Sequence, residues 1–188
     1  MLFEDRLREL IRADARRMRL LRALRALSLA DGWIGAGCVR NAVWDALHGR
    51  PPSSPAGDVD VVWFDRARTC PGRDLALERR LRVLAPGIVW SVKNQSRMHE
   101  GNGDAPYRDV CEAMRFWPET ATAVAVRLRA DDVLEVAAPF GLTDLFAGVV
   151  RPTARFRREK RGLFDARVQS KRWLEHWPLL RVDDRLPA

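Results

Sequence analysis

The chain has 188 residues, and its 33 lysines and arginines outnumber its 25 acidic residues, giving a formal net charge of +8. This length suits one compact domain and is too short for two ordinary ones. The hydrophobic share of 47% excludes a largely disordered chain, and no apolar run approaches the length of a membrane span.

The cysteines and the N-terminus bear on the cellular compartment. Cys38, Cys70 and Cys111 are odd in number and lack CxxC spacing, so neither a disulfide framework nor a structural zinc site is expected. The N-terminus is charged from Glu4 onward and has no apolar signal-peptide segment. We therefore expect a cytoplasmic protein with no membrane partner.

The positive charge is carried almost entirely by arginine, since lysine occurs only at positions 93, 160 and 171. An arginine- and alanine-rich composition is typical of GC-rich coding sequences. The positive charge is therefore explained first by codon usage and only second by a function. It still favours a polyanionic substrate such as a nucleotide or RNA.

The first half of the chain alternates helical and strand patterns. Residues 2–29 lack proline and glycine and predict an amphipathic helix, broken at most once. An apolar run at 32–36 predicts a strand ending at Gly37. In order, the patterns that follow predict a helix at 38–47, a loop at 51–57, a strand at 59–64, a helix at 73–84, a strand at 88–92 and a surface loop at 94–106.

The second half predicts a hairpin between helices. In order, we expect a helix at 107–116, strands at 122–129 and 133–137, a short turn or helix at 142–146 and a long basic helix at 153–176. Helices around a mixed β-sheet indicate an α+β fold with a three-layer or half-open sandwich core. The single predicted domain has an N-terminal helix (1–30), a core (31–150) and a C-terminal helical extension (151–188).

Two acids on one predicted strand are the candidate catalytic and metal-binding residues. Alternate residues of a strand face the same side, about 6.6 Å apart along the chain. Asp58 and Asp60 therefore present two carboxylates together, and their mutual repulsion favours a bound divalent cation. Hard oxygen ligands of this kind suit Mg²⁺, or Mn²⁺. The competing interpretation is a strand that merely alternates exposed aspartates with buried valines.

A glycine turn between the first strand and the next helix is the candidate nucleotide-binding segment. Backbone N–H groups at a helix start can hold a phosphate, and a glycine lets a ligand approach the backbone closely. We assign nucleotide binding to Gly35, Gly37, Cys38 and Arg40, the last as a side chain that reaches a phosphate or a carboxylate.

These two motifs resemble a known superfamily. The run from Ala36 to Asn41 with Asp58-Val59-Asp60 is similar to the head of polymerase-β-like nucleotidyltransferases, especially the CCA-adding and poly(A)-adding branch. Further segments resemble a bacterial nucleotidyltransferase-like family of unknown substrate. They are residues 90–95, 97–99, 117–124, 138–146, 171–173 and 177–179.

The resemblance implies a metal-dependent transfer of a nucleoside monophosphate from an NTP to an acceptor, which stays open as RNA, a small molecule or a protein. Superfamily members usually carry a third carboxylate, for which Glu119 and Glu135 are the candidates here. Ala36 stands where a glycine is usual and Asn41 where an aspartate is usual. If neither glutamate joins the pair, the alternative is a non-catalytic nucleotide- or RNA-binding module with the same fold.

A polar cluster after the third predicted strand supplies further candidates. Lys93, Asn94, Gln95 and His99 can bind the substrate, either the acceptor or the nucleotide base. The equally weighted alternative is a surface loop held by its own hydrogen bonds.

Overall fold

The computed structural model describes residues 2–53 and 57–185, so residues 54–56 of the predicted 51–57 loop lie outside it. No helix in the described ranges is long and apolar enough to cross a membrane. The helices are α1 (Phe3–Ala13), α2 (Ala15–Arg25), α3 (Gly37–Leu47), α4 (Pro71–Leu84), α5 (Met98–Asn102), α6 (Val110–Met114), α7 (Thr143–Phe146), α8 (Ala154–Arg158), α9 (Arg161–Lys171) and α10 (Trp173–His176). The strands are β1 (Gly32–Gly35), β2 (Val59–Trp63), β3 (Trp90–Asn94), β4 (Ala125–Leu128), β5 (Leu134–Ala137), β6 (Val149–Val150) and β7 (Arg181–Val182).

Five strands form one mixed sheet in the order β3-β2-β1-β4-β5. β2 and β3 are parallel, with Asp60 opposite Ser91, whereas the other neighbouring pairs are antiparallel. β4 and β5 form the predicted hairpin. The predicted α+β class with a mixed sheet and flanking helices is confirmed.

Helices α1 to α4 cover one face of the sheet. Val59 and Val61 point into this main core, which draws residues from Leu7 to Leu180. Alternation along β2 sends Asp60 and Val62 to the opposite face. There Val62 joins a smaller apolar cluster with α6 and the hairpin. This second layer does not extend over Asp60, which is only half-buried.

The N-terminal helical segment is broken once, at Asp14. Its carboxylate accepts hydrogen bonds from the backbone N–H groups of Arg16 and Arg17, each at 3.0 Å, and so caps the start of α2. An aspartate at this position stabilises a new helix start, because it satisfies donors that have no partner within the helix.

The prediction of one long helix over 153–176 is wrong, because the segment forms three short helices, α8, α9 and α10. The first break falls at Lys160, whose backbone leaves helical geometry at φ −118° and ψ 32°. The second falls at Arg172, which adopts a left-handed conformation at φ 49°. Neither break has a proline or glycine to signal it, although Gly162 lies just inside α9.

The predicted surface loop at 94–106 is partly helical. The Asn94 side chain accepts a hydrogen bond from the Ser96 N–H at 3.0 Å and starts a single 3-10 turn over residues 95–97. Helix α5 follows and ends at Asn102; the next residue, Gly103, caps it with a φ of 70° that suits glycine.

Candidate active site

A cleft of about 590 Å³ opens between the sheet and the C-terminal helices. One side comes from the start of α3 and from the segment entering β2; we call it the sheet wall. The other comes from α9, α10 and their junction; we call it the C-terminal wall. The sheet wall consists of Ala36, Gly37, Arg40, Asn41, Asp58 and Asp60, and the C-terminal wall of Arg167, Lys171, Arg172, Trp173, Glu175, His176 and Trp177.

Both predicted acids lie in the sheet wall. Asp58 is exposed and Asp60 is half-buried at the start of β2. Burial, with a further contribution from the negative charge of Asp58, raises the pKa of Asp60 to about 6, against the opposing effect of Arg167, Arg40 and Lys171. For Asp60, burial and repulsion from Asp58 therefore outweigh the attraction of the three nearby cations.

The two carboxylates fit a divalent cation. Their repulsion is the electrostatic situation that a bound cation relieves, and carboxylate oxygens are the donors that Mg²⁺ and Mn²⁺ take. Within residues 2–53 and 57–185, no group of three His, Cys, Asp or Glu side chains could hold a metal. A third acid does not join the pair there, and β3 places the neutral Ser91 opposite Asp60.

Neither candidate for the third carboxylate lies in the cleft. Glu135 is on β5 at the sheet edge, paired with Arg127 and Arg129, and it lines a different cavity. The strand order explains this, because β1 and β4 separate β5 from β2. The sequence pattern alone could not give that order.

Glu119 does not line the cleft, but it contacts Arg167 of the C-terminal wall. It is fully buried, and one of its oxygens accepts a hydrogen bond from Arg167 Nε at 2.8 Å. Its other oxygen has no hydrogen-bond partner in the described part of the chain. Glu119 thus acts on the cleft through Arg167.

The turn before α3 is strained at Ala36. Its φ of 50° and ψ of −127° are a conformation that glycine adopts readily and a Cβ opposes. Gly37 begins α3 and, like Ala36, lines the cleft. Of the amides in this first turn, those of Val39 and Arg40 donate to the Ala36 carbonyl oxygen, which leaves the N–H groups of Gly37 and Cys38 as the candidates for a ligand.

Two of the predicted nucleotide-binding residues do not line the cleft. Gly35 is buried in β1, where a Cβ would approach the Trp117 ring and the Val124 carbonyl oxygen to 3.2 Å. Packing therefore accounts for this glycine. The Cys38 side chain is buried in the main core, and its carbonyl accepts a hydrogen bond from Arg17 Nε at 2.6 Å.

Arg40 lines the cleft but is held by the protein. Its guanidinium lies over the rings of Trp44 and Trp173, 4.5 and 4.4 Å from the ring centroids, and donates to Thr122 Oγ1 at 2.8 Å. Burial lowers the pKa of Arg40 to about 9, although the charge of Glu119 opposes this. Arg40 joins α3 to the C-terminal wall and places positive charge behind Asp60.

A second cleft, of about 340 Å³, adjoins the first. The two clefts share Ala36, Asp60 and Arg167. The predicted substrate-binding residues Lys93 and Gln95 both line this second cleft. The structure therefore brings half of the predicted polar cluster to Asp60.

The other half of the cluster does not line either cleft. Asn94 is buried, and its amide donates to the carbonyl oxygens of Asp65 and Arg68 at 2.8 and 3.0 Å. Because its oxygen accepts two further N–H groups, Asn94 holds the loop, as the alternative interpretation has it. His99 packs edge-on against Tyr107, with ring centroids 5.9 Å apart.

The predicted site did not include the C-terminal wall. Its basic side chains Arg167, Lys171 and Arg172 come from a segment whose pattern indicated only a basic helix. One signal was present, since Lys171-Arg172-Trp173 is among the segments that carry the family resemblance.

Solved structures resemble the fold that carries this cleft. An NMR structure described as revealing a CCA-adding enzyme head domain is 34% identical, with a TM-score of 0.83 and 95% of each chain covered. A CCA-adding enzyme in complex with CTP is 16% identical, with a TM-score of 0.59 and 98% of this chain but 44% of that chain covered. The Thermotoga maritima CCA-adding enzyme complexed with tRNA is also 16% identical, with a TM-score of 0.53 and 88% and 38% covered.

The chain thus spans less than half of those two CCA-adding enzymes, and at such identities the likeness concerns the fold alone. No match was found among curated protein sequences. The nucleotidyltransferase family model matches residues 22–182, which contain both walls of the cleft. On this match, and on the 34% identity to the head-domain structure, the chain belongs to the nucleotidyltransferase family.

Proposed function

We propose that this protein is a metal-dependent nucleotidyltransferase that transfers a nucleoside monophosphate from an NTP to an acceptor. The observation that carries the proposal is the position of Asp58 and Asp60 in one cleft, between the start of α3 and a basic wall. Opposite charges facing each other across a cleft of this size suit a metal–nucleotide complex.

Asp58 and Asp60 are the side chains that would hold Mg²⁺ or Mn²⁺. When bound, such a cation neutralises phosphate charge and stabilises the attacking and leaving oxygens of the displacement. The partial burial of Asp60 strengthens this attraction, because charges interact more strongly away from bulk water.

The chain's own residues position the reactants. In the transfer, the acceptor hydroxyl oxygen forms a bond to the α-phosphorus while the bond from that phosphorus to the β-bridging oxygen breaks. Pyrophosphate leaves with the bonding electron pair, and the hydroxyl proton passes to water. The Gly37 and Cys38 amides at the start of α3 hold the donor's phosphates, and the second cleft, which shares Asp60, admits the acceptor.

The relatives suggest where to look for the donor and the acceptor. Solved CCA-adding enzymes with this fold are described in complexes with CTP, with ATP and with tRNA. CTP, ATP and an RNA 3′ end are therefore the first candidates to test here, before small-molecule and protein acceptors.

Binding and turnover can be measured separately. Isothermal titration with each NTP, with and without Mg²⁺, reports binding, and pyrophosphate release reports transfer. Asp58→Asn and Asp60→Asn should each lower release by at least about 100-fold, because each removes charge from the centre that stabilises the transferring phosphate. The control, Asp131→Asn, changes an exposed acid at the hairpin turn and should leave release unchanged. Retained turnover in both single variants at the cleft would rule out the proposed roles.

The second candidate function is a nucleotide- or RNA-binding module without turnover. It is favoured by one observation, which is that no third acid joins Asp58 and Asp60 in the described ranges. Metal-dependent NTP binding without pyrophosphate release, across RNA and small-molecule acceptors, would support this module over the enzyme.

A further inference from the structure

We propose that the C-terminal wall is a polyphosphate-binding surface, in which Lys171 contacts the outer phosphates of the donor nucleotide. This inference rests on the proposed function and extends it to residues outside the predicted site. It assigns a role to the basic segment 161–172, which the acid pair and the glycine turn leave unexplained.

The first support is the geometry of α9. Arg167 and Lys171 are four residues apart and therefore lie on the same face of the helix, one turn from each other. Both line the main cleft, and the positive charges of both act on Asp60 across it. One helix face thus presents two cations toward the carboxylate that would hold the metal.

The second support is the pairing of the cations in the cleft. Arg167 is paired with the buried Glu119, and Arg172 with Glu175 in the next helix. Lys171 is exposed, and no ion pair is found for it in the part of the chain that the structure describes. It is therefore the cleft cation whose charge is most available to a ligand.

The positions of the two clefts indicate how the phosphate chain of the nucleotide is oriented along the C-terminal wall. Arg167 borders both clefts beside Asp60, whereas Lys171 borders only the main cleft. The α-phosphate, which must face the acceptor, therefore lies near Arg167 and Asp60, and the chain of phosphates extends toward Lys171. Because α9 ends at Lys171, its helix dipole opposes an anion there, so the side chain itself must supply the attraction.

The wall is held in place before any ligand binds. Trp173 packs on Arg40, and the Trp177 indole N–H donates to Asp45 at 2.9 Å within α3. Trp44 contacts both indoles edge-on, with ring centroids 5.6 and 5.2 Å away. A preorganised surface loses little conformational freedom on binding, which favours affinity.

The test is metal-free binding of inorganic tripolyphosphate by the full chain, measured by isothermal titration in EDTA at constant ionic strength. Lys171→Ala should weaken binding roughly five- to tenfold, in keeping with one charge-assisted contact at an exposed site. Lys171→Arg should retain most of the affinity. The matched control is Lys160→Ala, because Lys160 precedes the same helix but lies outside the cleft; it should change binding less than about twofold.

Equal losses in Lys171→Ala and Lys160→Ala would show a general charge effect and overturn the inference, as would an unchanged affinity in Lys171→Ala. If repulsion from the acids hides binding to the wild type, the measurement is made in the Asp58→Asn/Asp60→Asn background, where absence of binding also overturns it. Because this assay contains neither metal nor acceptor, its failure is distinct from failure of pyrophosphate release, which tests the transferase itself.

Discussion

The two walls of the cleft differ in whether their residues are in energetically unfavourable or favourable states. The sheet wall holds groups in unfavourable states, namely a half-buried Asp60 that repels Asp58 and an Ala36 with a glycine-like backbone. The buried and half-buried groups of the C-terminal wall are in favourable ones, since Arg167 has a carboxylate partner and Trp173 packs on a buried guanidinium; the exposed Arg172 is the exception, with its left-handed backbone.

The difference separates residues that would react from residues that support them. Strain and unpaired charge concentrate at functional sites because the rest of the fold holds them there. Removing a buried group from the C-terminal wall should therefore destabilise the protein, whereas relaxing a group in the sheet wall should stabilise it and lower its activity. Three substitutions test this opposition, in decreasing order of the change expected in stability.

The largest effect is expected for Trp173→Ala, in the C-terminal wall. Trp173 is 3% exposed and packs on Trp44 and Arg40, so truncation should lower the free energy of unfolding by about 3–5 kcal/mol. Urea denaturation measures this. Leu174→Ala is the control, because Leu174 is on the same short helix but is 38% exposed and should lose under about 1 kcal/mol. Similar losses in both variants would mean that Trp173 does not join the wall to α3.

The second effect is expected for Asp60→Asn, in the sheet wall, and it has the opposite sign. A carboxyl whose pKa rises from 3.8 to about 6 on folding contributes stability below pH 4 that is lost as the pH rises through 6. The variant should therefore equal the wild type below pH 4 and exceed it by about 1–2 kcal/mol at pH 7.5, less than the full shift implies because Asp60 is partly exposed.

Thermal denaturation across pH 3 to 8 measures the difference. Adding Mg²⁺ at pH 7.5 should raise the melting temperature of the wild type but not that of Asp60→Asn, since the cation needs the ionised carboxylate. A variant less stable than the wild type at every pH would contradict the assignment of Asp60 as a destabilising group.

The sheet wall was predictable from the sequence because its signals are local. The alternation of aspartate and valine in β2 and the glycine turn before α3 each depend on neighbouring residues, and the structure has both features. The C-terminal wall depends on contacts between distant segments. Arg167 meets Glu119 across 48 positions, and Trp177 meets Asp45 across 132, so no local pattern could reveal either pair.

The order of the strands in the sheet could not be predicted from local patterns either. Glu135 and Asp60 both lie on strands of one sheet, but only the order β3-β2-β1-β4-β5 shows that β1 and β4 lie between them. The break at Arg172 depends on a left-handed backbone conformation that arginine rarely adopts. Because nothing in the sequence signals this conformation, the pattern over 153–176 predicted a continuous helix. The sequence thus located the acids but not their cationic surroundings.

The smallest effect is expected for Ala36→Gly, at the strained turn. Glycine adopts φ 50° and ψ −127° without the steric penalty of a Cβ, so the variant should gain about 1 kcal/mol in unfolding free energy. Ala46→Gly, inside the helix that Ala36 precedes, should instead lose about 1 kcal/mol. Opposite signs for one chemical change would show that the backbone of Ala36 is strained, while a loss at both positions would show that it is not. Strain at this turn matters because Ala36 borders both clefts: if it fixes the α3 amides against the donor's phosphates, the more stable variant should bind nucleotide more weakly.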